Sequence, residues 1–466
     1  MSTDASTSNT LVVRSPWTRA PVGELARTSR DAAFTALDRA HALHRSGARL
    51  PLALRVRVLR AVGEAIQKRR EELARQIALE GGKPLTDALV EVDRAASGAH
   101  YLAGEVERLA GDEIPMGATA ATEGRLAFTT LEPIGPVLAI SAFNHPLNLA
   151  MHQLGPAIAA GCPALFKPAL ETPLSGATLI ELFREAGLPD GWASLLVTDN
   201  ETTEALVRDR RVAYVSFIGS AAVGWRLRSV AAPGARVALE HGGAAPVLVD
   251  EGADLDRAAT LITKGGYYHA GQVCVSVQRV IAHERIADAL VERLAACASS
   301  LVVGDPSSDK TDVGPLIRER DAARVEAWVD EARTGSARIV TGGTRTGSQV
   351  YTPTLVVEPS REARLWTEEV FGPVVAVARV TDLDAAVALA NASRWAFQAA
   401  VFTPDLARAL RAARALDAAT VLLNDHTAFR ADWMPFGGRH ESGLGTGGLH
   451  LGVRDLCATK LIVLRG

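Results

Sequence analysis

The stretch Pro136-Val-Leu-Ala-Ile-Ser-Ala142, a helical pattern near 147–160 and then Pro163-Ala-Leu-Phe-Lys167 together decide the fold. Two short apolar runs flank one helix-length segment, the signature of a strand, a crossover helix and a parallel neighbouring strand. The alternation continues through strands at 193–197, 213–217 and 236–239, with helices near 176–187, 201–209 and 221–231. A second series runs from 245 to 425. Its strands fall near 246–250, 279–282, 374–379, 398–402 and 420–424, and its helices near 254–265, 284–300, 320–333, 383–392 and 404–416. The expected architecture is α/β with two doubly wound domains, and open sheets of this kind bind ligands beyond the carboxyl ends of their strands.

Upstream, Ala32, Leu37, Ala40 and Leu43, then Leu59, Val62, Ile66 and Leu73, recur at helical spacing, so 30–109 reads as bundle-like helices. The basic residues from Arg49 to Arg70 alternate with that apolar stripe and are followed by Glu71 and Glu72, a solvated helix face rather than a nucleic-acid patch. Two β-prone pieces, 125–131 and 459–464, fit neither α/β series. A two-stranded ribbon with Leu126, Phe128, Leu461, Ile462 and Val463 at open edges is expected to pair with another subunit, giving a homodimer or homotetramer. The partition is 1–110 plus 132–240 for a first domain, 241–440 for a second, and 111–131 plus 441–466 for a small β arm. The first ten or so residues are expected to be disordered.

A chain of 466 residues can bury a large core, here an aliphatic one because aromatics are only 5%. Fifty Lys and Arg nearly balance 53 Asp and Glu, which leaves no global field for nucleic acid or an anionic membrane. Cysteines 162, 274, 297 and 457 are widely spaced, arguing against a disulfide framework and against a metal site, and a reducing cytoplasm fits them. No run of 18 apolar residues and no signal-peptide pattern is present, so a membrane partner is not expected.

Chemistry concentrates around Gly265-Gly-Tyr-Tyr-His-Ala-Gly271-Gln-Val-Cys274, where glycines precede a cysteine set at the start of an apolar strand. Taken alone, Cys274 is either a small buried hydrophobe or a nucleophile. Glu240 closes the strand at 236–239, either as a surface carboxylate or as a group facing the ligand crevice. Asn144 follows another strand end, where an amide either caps the next helix or donates to a developing oxyanion. Gly219-Ser220 joins a strand to a helix and suits a phosphate, although it lacks the G-x-G-x-x-G pattern.

These pieces resemble the aldehyde dehydrogenase superfamily over nearly the whole chain. The matching motifs, in the family's order, are Pro133-Ile-Gly-Pro136, Phe143-Asn-His-Pro146, Lys167-Pro168, Phe217-Ile-Gly-Ser220, Leu239-Glu-His-Gly-Gly243, Gly271-Gln-Val-Cys274, Glu369-Val-Phe-Gly-Pro373 and Pro435-Phe-Gly-Gly438. The resemblance implies a Rossmann-like cofactor domain, a catalytic domain and an oligomerisation arm. It also implies NAD or NADP as cofactor, Cys274 as nucleophile, Glu240 as general base, and Asn144 with the backbone N–H of Cys274 as oxyanion donors. Lys167 and Ser220 would hold the adenosine ribose and pyrophosphate and Glu369 the nicotinamide ribose, with Phe143, Gly219, Gly242 and Phe371 completing the cofactor site. The implied reaction converts an aldehyde to the acid through a thiohemiacetal and a thioester on Cys274.

Departures from the family pattern sharpen the expectation. Leu170 stands where many NAD-using relatives carry a ribose-binding acid, and Glu171 follows it. Ile218 replaces a frequent Thr, His241 a usual Leu and Arg439-His440 a common Val-Lys, while Thr198-Asp199-Asn200 stands where a glycine is expected. Phe143-Asn-His-Pro-Leu-Asn148 is similar to the subset that includes lactaldehyde, nonphosphorylating glyceraldehyde-3-phosphate and phosphonoacetaldehyde dehydrogenases, which implies a short polar or anionic aldehyde. His145 either binds an acidic substituent, helped by Arg430 or Arg439, or packs under the loop. A CoA-acylating relative typically lacks the glutamate, and a silent binding homologue would lack part of the set Cys274, Asn144 and Glu240. All three are present.

Overall fold

The computed structural model describes residues 9–335 and 337–465, and these form three larger sheets and the helices that cover them. Six strands make the first sheet, in the order Gly443–Leu444, Arg236–Glu240, Tyr214–Ile218, Val137–Ile140, Ala164–Lys167 and Ala193–Leu195. All are parallel except the pair between Gly443–Leu444 and Arg236–Glu240. The second sheet has seven strands, in the order Arg338–Thr341, Thr354–Val357, Val374–Val380, Val277–His283, Ala245–Val249, Gln398–Phe402 and Thr420–Leu423, antiparallel only at its first pair. Val277–His283 and Gln398–Phe402 are buried along their whole length, so their apolar residues do not alternate with exposed polar ones, and the buried Gln278 and Arg279 side chains donate to backbone carbonyls.

Strands Arg338–Thr341 and Thr354–Val357 go beyond the expected set, because four-residue runs lie at the lower limit of a strand signal. Thr10–Arg14 and Pro21–Ala26 form an antiparallel hairpin, so Thr10, at the end of the stretch expected to be disordered, lies in a strand; residues 1–8 of that stretch lie outside the described residues. The arm is a three-stranded antiparallel sheet, Cys457–Arg465, Arg125–Pro133 and Glu113–Ile114, in which the carboxyl-terminal strand pairs with its own chain over nine residues. Of the expected 441–466 arm segment, only Cys457–Arg465 joins this sheet. Gly443–Leu444 completes the first sheet, and Leu449–Asp455 is a helix against Pro146–Ala160.

The amino-terminal helices Arg30–Arg45, Leu52–Lys68, Arg70–Gly81 and Leu85–Arg108 pack on the first sheet and pin its helix starts. Pro146–Ala160 and Pro173–Glu185 each open on proline, and neither has a side-chain cap of its own. Buried glutamates supply the missing acceptors. Glu91 accepts the N–H groups of Leu147 (2.9 Å) and Asn148 (3.1 Å), and Glu80 those of Leu174 (2.8 Å) and Ser175 (2.9 Å). Burial lifts the Glu80 carboxyl to about 7 against the pull of those bonds, whereas Glu91 is ion-paired with the fully buried Lys83. Among the described residues no helix is long and apolar enough to cross a membrane.

Candidate active site

The carboxyl ends of the first sheet's strands and the amino ends of Ala245–Val249, Val277–His283 and Val374–Val380 open on one cleft of about 1140 Å³, lined by Asn144, Lys167, Glu240, Cys274, Glu369 and Arg430 among others. The turn that delivers the cysteine is unusual, since His269 (φ 48°), Ala270 (φ 54°) and Gly271 (φ 69°) are successively left-handed. Gly271 also lies on the Gly372 carbonyl, where a Cβ would approach to 2.0 Å, so no side chain fits there. Gly265 and Gly266 behave differently from expectation. They end the helix Leu255–Tyr267 and are closed off by His426, Val277 and Val375, so they admit protein packing rather than a ligand.

Gln272 locks the turn: its side chain accepts from Ile317 N (2.9 Å) and donates to the carbonyls of His269 and Pro315 (3.3 Å each). Its own carbonyl takes the Asn144 Nδ2 donor at 2.8 Å, which aims the amide at the nucleophile loop and leaves one further N–H. Asn144 is therefore not a helix cap, because Glu91 fills that role. Cys274 is half-buried, and burial, reinforced by Glu369 and opposed by Arg430, pushes its thiol up to about 12. Glu240 faces the cleft with its carboxylate against Gly447, where a Cβ would come within 2.4 Å. Burial raises its pKa and the Arg430 charge pulls it back. The surface-carboxylate reading is thus excluded, and two glutamates of raised pKa flank one thiol.

The cofactor candidates share the same cleft. Glu369 crosses Gly242 so closely that a Cβ would fall 1.5 Å from Oε1, and that buried oxygen has no partner. Burial raises the Glu369 carboxyl to about 7, opposed by the Gly243 N–H. Gln278 clamps the residues on either side, donating to Glu368 O (2.6 Å) and accepting from Val370 N (2.9 Å). Phe371 (φ 46°) meets Phe143 edge-on at 5.8 Å. Ser220 precedes the helix Ala221–Val230 without capping it, leaving the N–H groups of that end open to an anion. Gly219 lies between them, where a Cβ would press on the Phe217 ring at 2.7 Å. Lys167 enters the cleft with its pKa lowered by burial against the pull of Glu171, and Leu170 and Glu171 line the cleft beside it, Glu171 held by Arg318 (2.7 Å).

His145 is buried and its Nε2 lies 3.2 Å from the Tyr268 hydroxyl. Burial, with Lys83, Arg94, His269 and Arg430 nearby, holds it neutral, so it offers a hydrogen bond rather than a charge. Arg430 lines the cleft over the Phe436 ring (3.5 Å to its centre) with Nε unpartnered. Arg439 does not reach the cleft; it is exposed, pairs with Asp417 at 3.6 Å, and lies in a strand against Trp395–Ala396 that points it outward. His241 donates from Nδ1 to Glu441 O (2.9 Å), its ring is packed by Trp225 and Phe217, and burial keeps it neutral, so it adds no charge beside Glu240. Sequence reading passed over Arg94 and Tyr268, which also line the cleft; Arg94 was one more polar position on a long helix, with nothing local to mark it.

A sheet-end cysteine facing two glutamates and an amide, beside a helix start that suits a phosphate, defines an oxidoreductase of the covalent thioester type. The family model described as "Aldehyde dehydrogenase family" matches residues 3–462, and the chain belongs to that family. It is 40% identical over 411 residues to a 3-sulfolactaldehyde dehydrogenase of Priestia aryabhattai, covering 88% of this chain and 86% of that one. Among solved structures it is similar to aldehyde dehydrogenase 21 from Physcomitrella patens in complex with the reaction product succinate, with a TM-score of 0.94, 34% identity and coverage of 99% and 96%. It is also similar to a glyceraldehyde-3-phosphate dehydrogenase from Methanocaldococcus jannaschii complexed with NADP, with a TM-score of 0.94, 33% identity and coverage of 99% and 100%.

Proposed function

We propose that this enzyme oxidises a short aldehyde bearing an acidic group to the corresponding acid, with NAD or NADP as cofactor. The observation that carries the reading is Arg430, a half-buried guanidinium lining the same cleft as Cys274 and Glu240, with Arg94 beside it. The named relatives act on sulfolactaldehyde or glyceraldehyde 3-phosphate or were captured with succinate, and each of those molecules carries an acidic group.

Cys274 must first lose its proton to a carboxylate, and both Glu240 and Glu369, whose raised pKa values make either a competent acceptor, line the cleft with it. The thiolate adds to the carbonyl carbon, and the resulting oxyanion is held by Asn144 Nδ2 and the backbone N–H of Cys274. The nicotinamide cofactor, when bound, supplies the acceptor for the hydride. Glu369 would orient its ribose through the unpartnered Oε1, with Lys167 and Ser220 toward the adenosine end. Once the proton taken from the thiol has been released to solvent, Glu240 takes a proton from water as that water attacks the thioester, and the acid leaves as that proton passes to the Cys274 sulfur. The presence of Glu240 favours hydrolysis over transfer to CoA. A panel of short aldehydes with and without a carboxylate, sulfonate or phosphate, assayed at 340 nm, tests the reading. Equal kcat/KM for charged and neutral members would sink it.

Arg430→Met should raise KM for anionic aldehydes by about tenfold or more, the loss of one charge-assisted contact. It should also move the acid limb of kcat. Glu240 acts ionised, its pKa is raised by burial and lowered by Arg430, so removing the cation lifts that pKa and shifts the limb to higher pH. A limb that stayed in place would separate Arg430 from Glu240.

With Leu170 in place of a ribose-binding acid and the neighbouring Glu171 paired with Arg318, NADP should be used within about tenfold of NAD, about 1.4 kcal/mol. Leu170→Glu should shift the preference toward NAD. Thousandfold discrimination by the native enzyme would show another group reading the ribose.

The carboxyl-terminal strand leaves one edge of the arm sheet open, with Leu461, Val463 and Leu464 about half exposed beside Leu126. We infer a homodimer or homotetramer joined through this arm. Light scattering should give a mass well above one 49.2 kDa chain, and deletion of 458–466 should lower the order of assembly or cause aggregation. A monomer at micromolar concentration would overturn it.

A further inference from the structure

Behind the cleft, Asp432 collects donors from two helices, Leu85–Arg108 and Pro146–Ala160. Its carboxylate takes Arg94 through Nε (3.0 Å) and Nη2 (2.7 Å), Asn148 Nδ2 at 3.2 Å and His152 Nε2 at 2.7 Å. Burial disfavours the Asp432 charge, but the bonds from His152 and Arg94 outweigh it and hold the carboxyl far below the usual carboxylate range. An acceptor-only carboxylate on Nε2 fixes the His152 tautomer: the proton is on Nε2, and Nδ1 is left as an acceptor. That nitrogen faces Arg430 Nη2 at 3.4 Å. Burial and the Arg430 charge lower the His152 pKa to about 4, which keeps Nδ1 free for the guanidinium at neutral pH.

Arg94 and Arg430 both line the cleft, whereas His152 and Asp432 stand behind them. From this arrangement we infer that Asp432 and His152 are positioning residues that set the substrate-anion pocket, Asp432 gripping Arg94 directly and His152 passing the same constraint to Arg430. Two guanidiniums brought to one pocket repel each other, and a long Arg side chain left loose spends little time in any one geometry. One buried carboxylate between them offsets the repulsion and leaves a net positive charge for a single anionic substituent. The Phe436 ring closes another side of Arg430 at 3.5 Å, so the guanidinium is held on two sides while the side chain still lines the cleft. His152 touches no reacting atom on this account. It acts on affinity for the charged end of the substrate, not on the thiol chemistry.

The inference rests on the anionic-aldehyde reading above, and the test keeps the two apart. His152→Leu, His152→Gln and the native enzyme are compared on sulfoacetaldehyde and on propanal, with melting temperature as a check on folding. Independently of turnover, Cys274 is alkylated with iodoacetate and with iodoacetamide and followed by peptide mass spectrometry. The expected result for His152→Leu is a KM for sulfoacetaldehyde raised about tenfold with kcat little changed, propanal within twofold of native, and the iodoacetate to iodoacetamide rate ratio lowered about tenfold. Glutamine, which can donate to Asp432 and accept from Arg430, should recover most of the loss. If the native enzyme prefers neither charged reagent, the anionic-aldehyde reading falls and this inference with it. If the native preference is present but His152→Leu leaves it intact, or lowers both substrates and both alkylation rates alike, the positioning role alone is overturned.

Discussion

Replacing Cys274 by alanine should lower aldehyde oxidation by at least about 10⁴-fold, because no covalent adduct can then form and the other groups have nothing to stabilise. Glu240→Gln should look different. Hydride transfer would still occur once per site, giving a burst of reduced cofactor followed by turnover slowed about 10²–10⁴-fold as the thioester waits for water. Stopped-flow absorbance at 340 nm separates the two cases. A burst with Cys274→Ala, or full steady-state rate with Glu240→Gln, would reverse the assignment of roles. The cofactor-free thiol sits at about 12, so the adduct requires proton removal by a neighbouring group rather than a standing thiolate. Native enzyme without cofactor should accordingly react slowly with iodoacetamide at neutral pH.

Lys83→Met should destabilise the protein by about 3–5 kcal/mol, the cost of leaving one member of a fully buried ion pair without its partner. Lys83 and Glu91 are both inaccessible, and Glu91 also holds the first N–H groups of Pro146–Ala160. The helix start carrying Asn144 and His145 at its entrance therefore depends on a charge placed one helix away. Urea unfolding should show the loss, and Lys83→Met combined with Glu91→Gln should cost less than the sum of the single changes, since the second removes the charge the first has stranded. Additive losses would show that the two residues do not act as a pair. Activity of Lys83→Met should fall as well, with the oxyanion donor less firmly held.

Periodicity was enough for most strands of the two α/β sheets, though not for Arg338–Thr341, Thr354–Val357 and Gly443–Leu444, because a strand buried on both faces is mostly apolar and a crossover helix shows one apolar stripe. Cys274, Glu240 and Asn144 stood out for a related reason, since each lies beside a strand end and sheets bring such ends together, whereas Lys167 and Glu369 were marked only by the resemblance to the family. Tertiary structure alone decided what those positions meet. Asn144 reads equally well as a cap until Glu91, from a different helix, is seen to occupy the N–H groups it would have capped. Arg439 and Arg430 are indistinguishable along the chain, yet a short strand against Trp395–Ala396 turns one to solvent while Phe436 and His152 hold the other in the cleft. Arg94, His152 and Asp432 carried no local signal at all. Their meaning is a carboxylate, an imidazole and two guanidiniums converging from separate elements, and hydrogen bonds of that reach depend on distances in space that residue spacing does not encode.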